Sequence, residues 1–264
     1  MTKIFDNIKI YFSFLGASIK EMLVYRFDCI IGAVSQIVTQ LVEIIFIWIV
    51  FQNTKDLVGW NFRQILLLYG ITLIVIGLKS FMFDGLYDLG PIYIKTAEFD
   101  KMMLRPVHPL ISVIGSSKDF VSFGYSILGF AITACMLIQL QIPISFLLIL
   151  KIIIFSISGA AILGALNTIF SVTSFWTYRS NEFIWSFDRM YTIAQYPINI
   201  YSKFIKILIT IVLPFAFAAY YPAMNYLGMD KYMIFLSPLI AIVMWYIAIK
   251  IWNLALNKYR SAGT

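Results

Sequence analysis

Two groups of residues in this chain have types and spacing that could do chemistry. Glu98, Phe99, Asp100, Lys101, Met103, Leu104 and Arg105 form a short charged and apolar stretch between long greasy runs. Such a mixture suits a docking surface, with apolar anchors inside a charged rim. Gln36, Gln40 and Glu43 follow one side of a helix inside the first apolar run. Burying a carboxylate there costs several kcal/mol unless it is paired, protonated or wetted. Glu43 therefore has two open readings: it lines a polar route or a subunit seam, or it pairs with an arginine or polar side chain elsewhere in the bundle. Little else could react. His108 is the single histidine and sits between Val107 and Pro109 at an expected helix end, which suits a capping or solvent-exposed role. Cys29 and Cys135 are the only cysteines and have no metal-ligand spacing. The run G-x-x-x-x-G-K-[ST] is absent, so the chain itself supplies no phosphate cradle for ATP.

The elements that must position these groups follow from local rules. Within Gly90–Val113, Pro91 suits the first position of a helix, where its missing N–H is no loss. From Ile92 a helix is expected to run to about Leu104, because Arg105 and His108 each precede a proline and are biased away from helical geometry. On that rod Glu98, Lys101 and Arg105 share one face, and Ile92, Phe99 and Met103 share another.

The surroundings are membranous. Of 264 residues, 61% are hydrophobic and only 12% charged, with a mean hydropathy of +0.87; a soluble domain carries about 25% charged residues. Several runs reach the roughly 20 apolar residues needed to cross about 30 Å of hydrocarbon. Short segments of alternating polarity, the mark of a transmembrane β-barrel, are missing. The expected fold is all-α: one polytopic membrane helical bundle over 1–264, multi-pass in the cell membrane and surrounded by lipid. The net charge of +7 fits basic residues at span ends and not a nucleic-acid surface.

In chain order, residues 1–28 read as an interfacial helix: Ile4, Phe5, Ile8, Phe12, Leu15 and Ile19 make one face, and Lys3, Lys9 and Lys20 supply a basic side. No cleavable signal peptide is expected there, since the N-terminus is charged and amphipathic. Spans follow at about Cys29–Phe51, Gln64–Phe83, Phe120–Leu140 and Phe146–Phe170. Lys79 is expected to snorkel to the interface. Ser156, Ala160, Gly164 and Thr168 form a small-residue stripe suited to close helix packing. The last span is about Tyr232–Trp252. Lysine and arginine counts favour residues 1–28, the 95–118 loop and the C-terminal end over the outer loops, which places both termini and the rod in the cytoplasm. An even number of spans follows, and six fits. The fifth stays open: either Asn181–Ile200 crosses, or Ile205–Tyr221 does, with its break at Pro214.

Three patches resemble the permease subunits of type-II ATP-binding-cassette exporters, in the branch of daunorubicin-type and antibiotic self-resistance exporters. Tyr25-Arg26-Phe27-Asp28 is similar to that family's entry to the first span. Glu98-Phe99-Asp100 with Leu104-Arg105-Pro106 looks like its cytoplasmic Gly-Glu-x-Asp…Leu-Arg-Pro signature, although Ala97 stands where the family usually has glycine. Tyr196-Pro197-Ile198, Leu213-Pro214-Phe215 and Tyr221-Pro222-Ala223 resemble its proline-punctuated hairpin. The resemblance implies a re-entrant outer hairpin at 201–222 and a non-enzymatic permease half of an exporter; the aromatic content of 17% suits amphiphilic small molecules or peptides as its cargo. It also implies a separate cytoplasmic ATPase that binds ATP and Mg, and a second permease subunit, homologous or identical. The 92–104 rod would then be a coupling helix, with Phe99, Met102 and Met103 as anchors. Two rivals remain: an ion-coupled secondary transporter, for which Glu43, Asp188 and Arg189 are the intramembrane candidates, and a non-transporting membrane anchor for an ATPase. An intramembrane enzyme has poor support, because no nucleophile–base or metal set converges.

Overall fold

The computed structural model describes residues 14–177 and 180–259; the first part of the expected interfacial helix, residues 1–13, lies outside them. Residues 14–24 form helix α1. The chain then runs through α2 (Arg26–Asn53), α3 (Phe62–Phe83), α4 (Glu98–Met103), α5 (Pro109–Ser116), α6 (Phe123–Gln139) and α7 (Phe146–Ser171). There follow α8 (Ser174–Thr177), α9 (Ser180–Tyr191), α10 (Lys203–Ile207), α11 (Tyr220–Tyr226) and α12 (Leu236–Leu256). The architecture is an all-α polytopic bundle. Four helical stretches among the described residues are long and apolar enough to cross a membrane, and a fifth crossing is counted only if the bent pair Lys203–Val212 and Phe215–Tyr226 is one span. Helix α6, with 17 residues, spans roughly 25 Å at 1.5 Å per residue, just under the hydrocarbon thickness. The expected count of six is therefore not met by long single helices.

The bundle is built around α3. It starts on a reciprocal cap, Asn61 Oδ1 accepting from Gln64 N at 3.0 Å and Gln64 Oε1 from Asn61 N at 2.9 Å. Glycines let α6 approach it closely: a Cβ on Gly129 would stand 2.7 Å from Gly70 O and 2.8 Å from Ile74 N. The α7 stripe also packs. Ser156, Ala160 and Thr168 are buried, and a Cβ on Gly164 would collide with the Phe83 ring. Helix α12 lies along α7, and α2 lies against α6 at the periphery.

Neither expectation for the fifth span is met by one straight helix. Helix α9 continues as a 3₁₀ turn through Gln195 and stops before Tyr196-Pro197. The next two limbs, 203–212 and 215–226, are bent by 70° from one line, and Pro214, which lacks an N–H, stands in the break. Phe215 packs against Phe187 and Tyr191 of α9 at 5.0 and 5.2 Å between ring centroids. Ala218 lies against Gly159, midway along α7. Farther along, Tyr220 packs on Trp60 at the end of the first loop, and Lys151 near the start of α7 reaches Asn225 at 3.3 Å. A bend of this size belongs to a broken span or to a re-entrant loop.

Candidate functional site

At the end of the bundle opposite Trp60, the segment expected to be one helix from Ile92 to Leu104 is two pieces. Residues Leu89–Ile94 form a wide π-turn, in which Lys95 N bonds Gly90 O. Pro91 cannot donate a bond and its ring crowds the preceding turn, which opens the helix there. The chain reverses at Ala97, in left-handed geometry with φ of 58°, and α4 begins at Glu98. The position where the resembling family has glycine thus adopts the conformation glycine takes most readily.

This break redistributes the expected anchors. Glu98, Lys101 and Arg105 are exposed together, as their shared face requires, and so are Met103 and Leu104, the latter 87% exposed. Phe99 is 0% exposed and Met102 is buried too. Phe99 is enclosed by Phe175, Trp252 and Tyr259, with centroids at 5.6, 6.4 and 5.1 Å. It cannot touch a partner directly; it holds the tip from within. Asp100 is half-buried and accepts from Tyr259 Oη at 2.9 Å. His108 caps α5: its Nδ1 accepts from Leu110 N at 3.3 Å, so Nε2 carries the proton and donates to Asn253 Oδ1 at 3.0 Å.

A polar cavity of about 380 Å³ lies deeper, between α2, α3, α6 and α9. Its wall carries Lys79 and Asp188, paired at 2.9 Å. Lys79 is 4% exposed, which overturns its expected snorkelling: α3 is the buried axle of the bundle, so its side chains have no route to the interface. Lys79 also donates to Tyr87 Oη at 2.8 Å, Tyr87 donates to the same Asp188 oxygen, and Asn167 Nδ2 approaches Tyr87 Oη at 3.4 Å. Four chain segments thus meet on one ion pair, its lysine buried and its carboxylate partly open to the cavity. A hydrogen-bonded pair of this kind is costly to break, because removing one partner strands the other charge.

Gln40 lines the same cavity, buried, and accepts from Tyr69 Oη at 2.8 Å. Gln36 is half-buried, while Glu43 is exposed on the surface of α2 and has no ion pair among the described residues. The expected stripe therefore divides: Gln40 faces the cavity, and Glu43 is not buried against an arginine of its own chain.

A second cavity of about 390 Å³ at the same end as α4 holds Glu21, Asp84, Asp88, Asp119 and Lys118. Burial pushes the Lys118 ammonium down to about 8 against the pull of Asp84, and pushes the Asp119 carboxyl up, with Asp84 adding to it. Lys118 donates to Met82 O and Ile114 O at 3.0 and 3.1 Å, which ties α5 to α3.

The Lys79–Asp188 node and the ring cage escaped sequence reading. Charges beyond an apolar run, as at Asp188, signal a buried partner only once the helix carrying them is known to pack against α3.

Long apolar helices around a small-residue-packed axle, with a polar cavity in the bundle and an exposed tip at one end, define a polytopic helical membrane protein. Residues 37–263 match the family described as ABC-2 family transporter protein, and the chain belongs to that family. No curated protein and no solved structure matches the chain. Membership makes this a membrane component of an ATP-binding-cassette transporter.

Proposed function

We propose that the chain is the transmembrane half of an ATP-driven exporter of amphiphilic small molecules or peptides, worked by a separate cytoplasmic ATPase that binds ATP and Mg. The observation that carries this reading is the exposed tip Met103–Pro106, mounted on a buried footing. Met103 and Leu104 stand out of the fold with Glu98, Lys101 and Arg105 around them. An apolar knob in a charged rim has the composition of a protein-binding centre. The tip lies at the end of the molecule to which the positive-inside rule assigns the cytoplasm, with both termini there, in the cell membrane.

One cavity bounded by α2, α3, α6 and α9 makes half a route, so a second permease, homologous or identical, completes it. Helix α2, with Glu43 on its outer surface, is the side on which the halves meet. The hairpin at 203–226 closes the outer end, entering and leaving on the same side. ATP-driven approach of two ATPase subunits moves the two tips and rocks the halves between inward and outward openings.

The Lys79–Asp188 pair in the cavity wall favours a second reading, ion-coupled carriage. One experiment decides between them: replace Met103 and Leu104 by Asp and purify the chain from mild detergent. Loss of an ATPase that accompanies the wild-type chain supports the first reading. Unchanged co-purification and unchanged transport refute the tip's role.

A further inference from the structure

The tip has two kinds of attachment. Along the chain it joins α3 and α6 through irregular backbone: the 3₁₀ turn Asp84–Leu86, the π-turn Leu89–Ile94, left-handed Ala97, and the turn between Ser116 and Phe123. Sideways it is fastened to the end of α12. Before the exposed residues, Asp100 accepts from Tyr259; after them, His108 donates to Asn253. Beneath them, the rings of Phe99, Phe175, Trp252 and Tyr259 pack edge to face, with Phe175 lying 5.4 Å from Trp252 and 5.7 Å from Tyr259. Phe175 belongs to α8, directly after α7, so the cage joins the last turn of α12 to the end of α7.

A helix of six residues is too short to hold its shape unaided; α4 is ordered by what clamps it. Ring contacts are short-ranged, so a displacement of the tip either carries the end of α12 along or breaks the cage. Helix α12 runs regularly for 21 residues and packs along α7. Load entering at the tip therefore has two routes: to α3 through the Lys118 tie on α5, and to α12 and α7 through the ring cage and its two flanking hydrogen bonds.

We infer that the C-terminal end of the last helix and the residues just after it, through Asn253, Tyr259 and the Phe99–Phe175–Trp252 cage, are the receiver that passes the ATPase's stroke into the α7–α12 pair. Tyr259 and Asn253 are positioning residues for transport, acting through the tip. The inference rests on the proposed coupling to an ATPase and adds to it the route the force takes.

The test uses full-length chain with the ATPase that co-purifies with it, in vesicles, scoring ATPase retention and transport per ATP separately. Tyr259→Ala is expected to keep the ATPase bound and hydrolysing while transport per ATP falls about fivefold or more, the low end of couplings between sites. Tyr259→Phe, which keeps the ring, is expected to fall less. In a Cys29→Ser, Cys135→Ser background, His108→Cys with Asn253→Cys should transport poorly, and bridging the two thiols with a short thiosulfonate linker should restore it. Rescue by a covalent tie is a response that a purely structural contact would not give. Transport per ATP within twofold of wild type in Tyr259→Ala, or a linker that blocks transport, overturns the inference. If Tyr259→Ala is not recovered from membranes, Tyr259→Phe and the linked pair decide by the same criteria. If wild-type chain brings down no ATPase, the coupling reading fails and this inference falls with it.

Discussion

Helices α2 and α3 are both apolar enough to cross a membrane, yet 11% of the most apolar stretch is buried in one and 72% in the other. Each carries a charge, and the two charges do the opposite of what hydropathy suggests. Glu43, deep in its apolar run, is exposed on the flank of α2; Lys79, near the end of α3, is buried in an ion pair. Whether a charge in an apolar helix is buried depends on the helix's place in the bundle. Its distance from the helix end decides less.

The comparison can be broken at four points and sharpened at a fifth. The largest effect belongs to the ion pair. Asp188→Leu alone should destabilise the chain by about 3–5 kcal/mol, by leaving the buried Lys79 charge unpaired, and Lys79→Met by less, because Asp188 is partly open to the cavity, while the double replacement recovers most of the loss. Thermal unfolding in detergent reads both, and equal losses in single and double variants would deny that the pair is buried. Next comes the α3–α6 contact: Gly129→Ala drives a methyl into Gly70 O and Ile74 N and should cost about 1–3 kcal/mol. Val42→Ala on α2 should stay within about 0.5 kcal/mol. Comparable losses at the two sites would erase the difference between the helices. Tyr69→Phe deprives Gln40 of its donor and should cost about 1–2 kcal/mol, measured the same way. Ala97→Gly relieves left-handed backbone strain and should raise stability by about 0.5–1 kcal/mol; a loss of stability would mean that Ala97 is unstrained. Smallest of all, Glu43→Leu should change the stability of the single chain by less than about 0.5 kcal/mol. If Glu43 lies on the seam with a second permease, the same change should reduce co-purification of that partner, and intact association and transport would reduce it to a bystander.

The helices were legible because apolar runs of span length admit few other folds, and the boundaries of α2 and α7 fall close to those expected. The small-residue stripe on α7 and the capping role of His108 were legible for the same reason: each is a local pattern with one cheap structural use. Pro91 as a helix start predicts a continuous rod at 92–104, whereas the Gly90-Pro91 pair widens the turn and Ala97 reverses the chain. Phe99 was assigned to a partner-facing side by helical spacing alone. Its actual neighbours, Phe175, Trp252 and Tyr259, lie more than 70 positions downstream, and periodicity carries no information about contacts at that separation. The Lys79–Asp188 pair joins residues 109 apart and was hidden likewise. Family membership was legible from the three motif patches together.

The central claim is that this permease moves its cargo only when an ATPase drives it through the tip. The most direct measurement is transport by vesicles containing the purified chain, with and without the co-purifying ATPase, under ATP or under an ion gradient alone. Cargo movement that requires both the ATPase and hydrolysable ATP, and that Met103→Asp with Leu104→Asp abolishes, is the predicted result. Movement by the isolated chain under an ion gradient, indifferent to nucleotide, would contradict it.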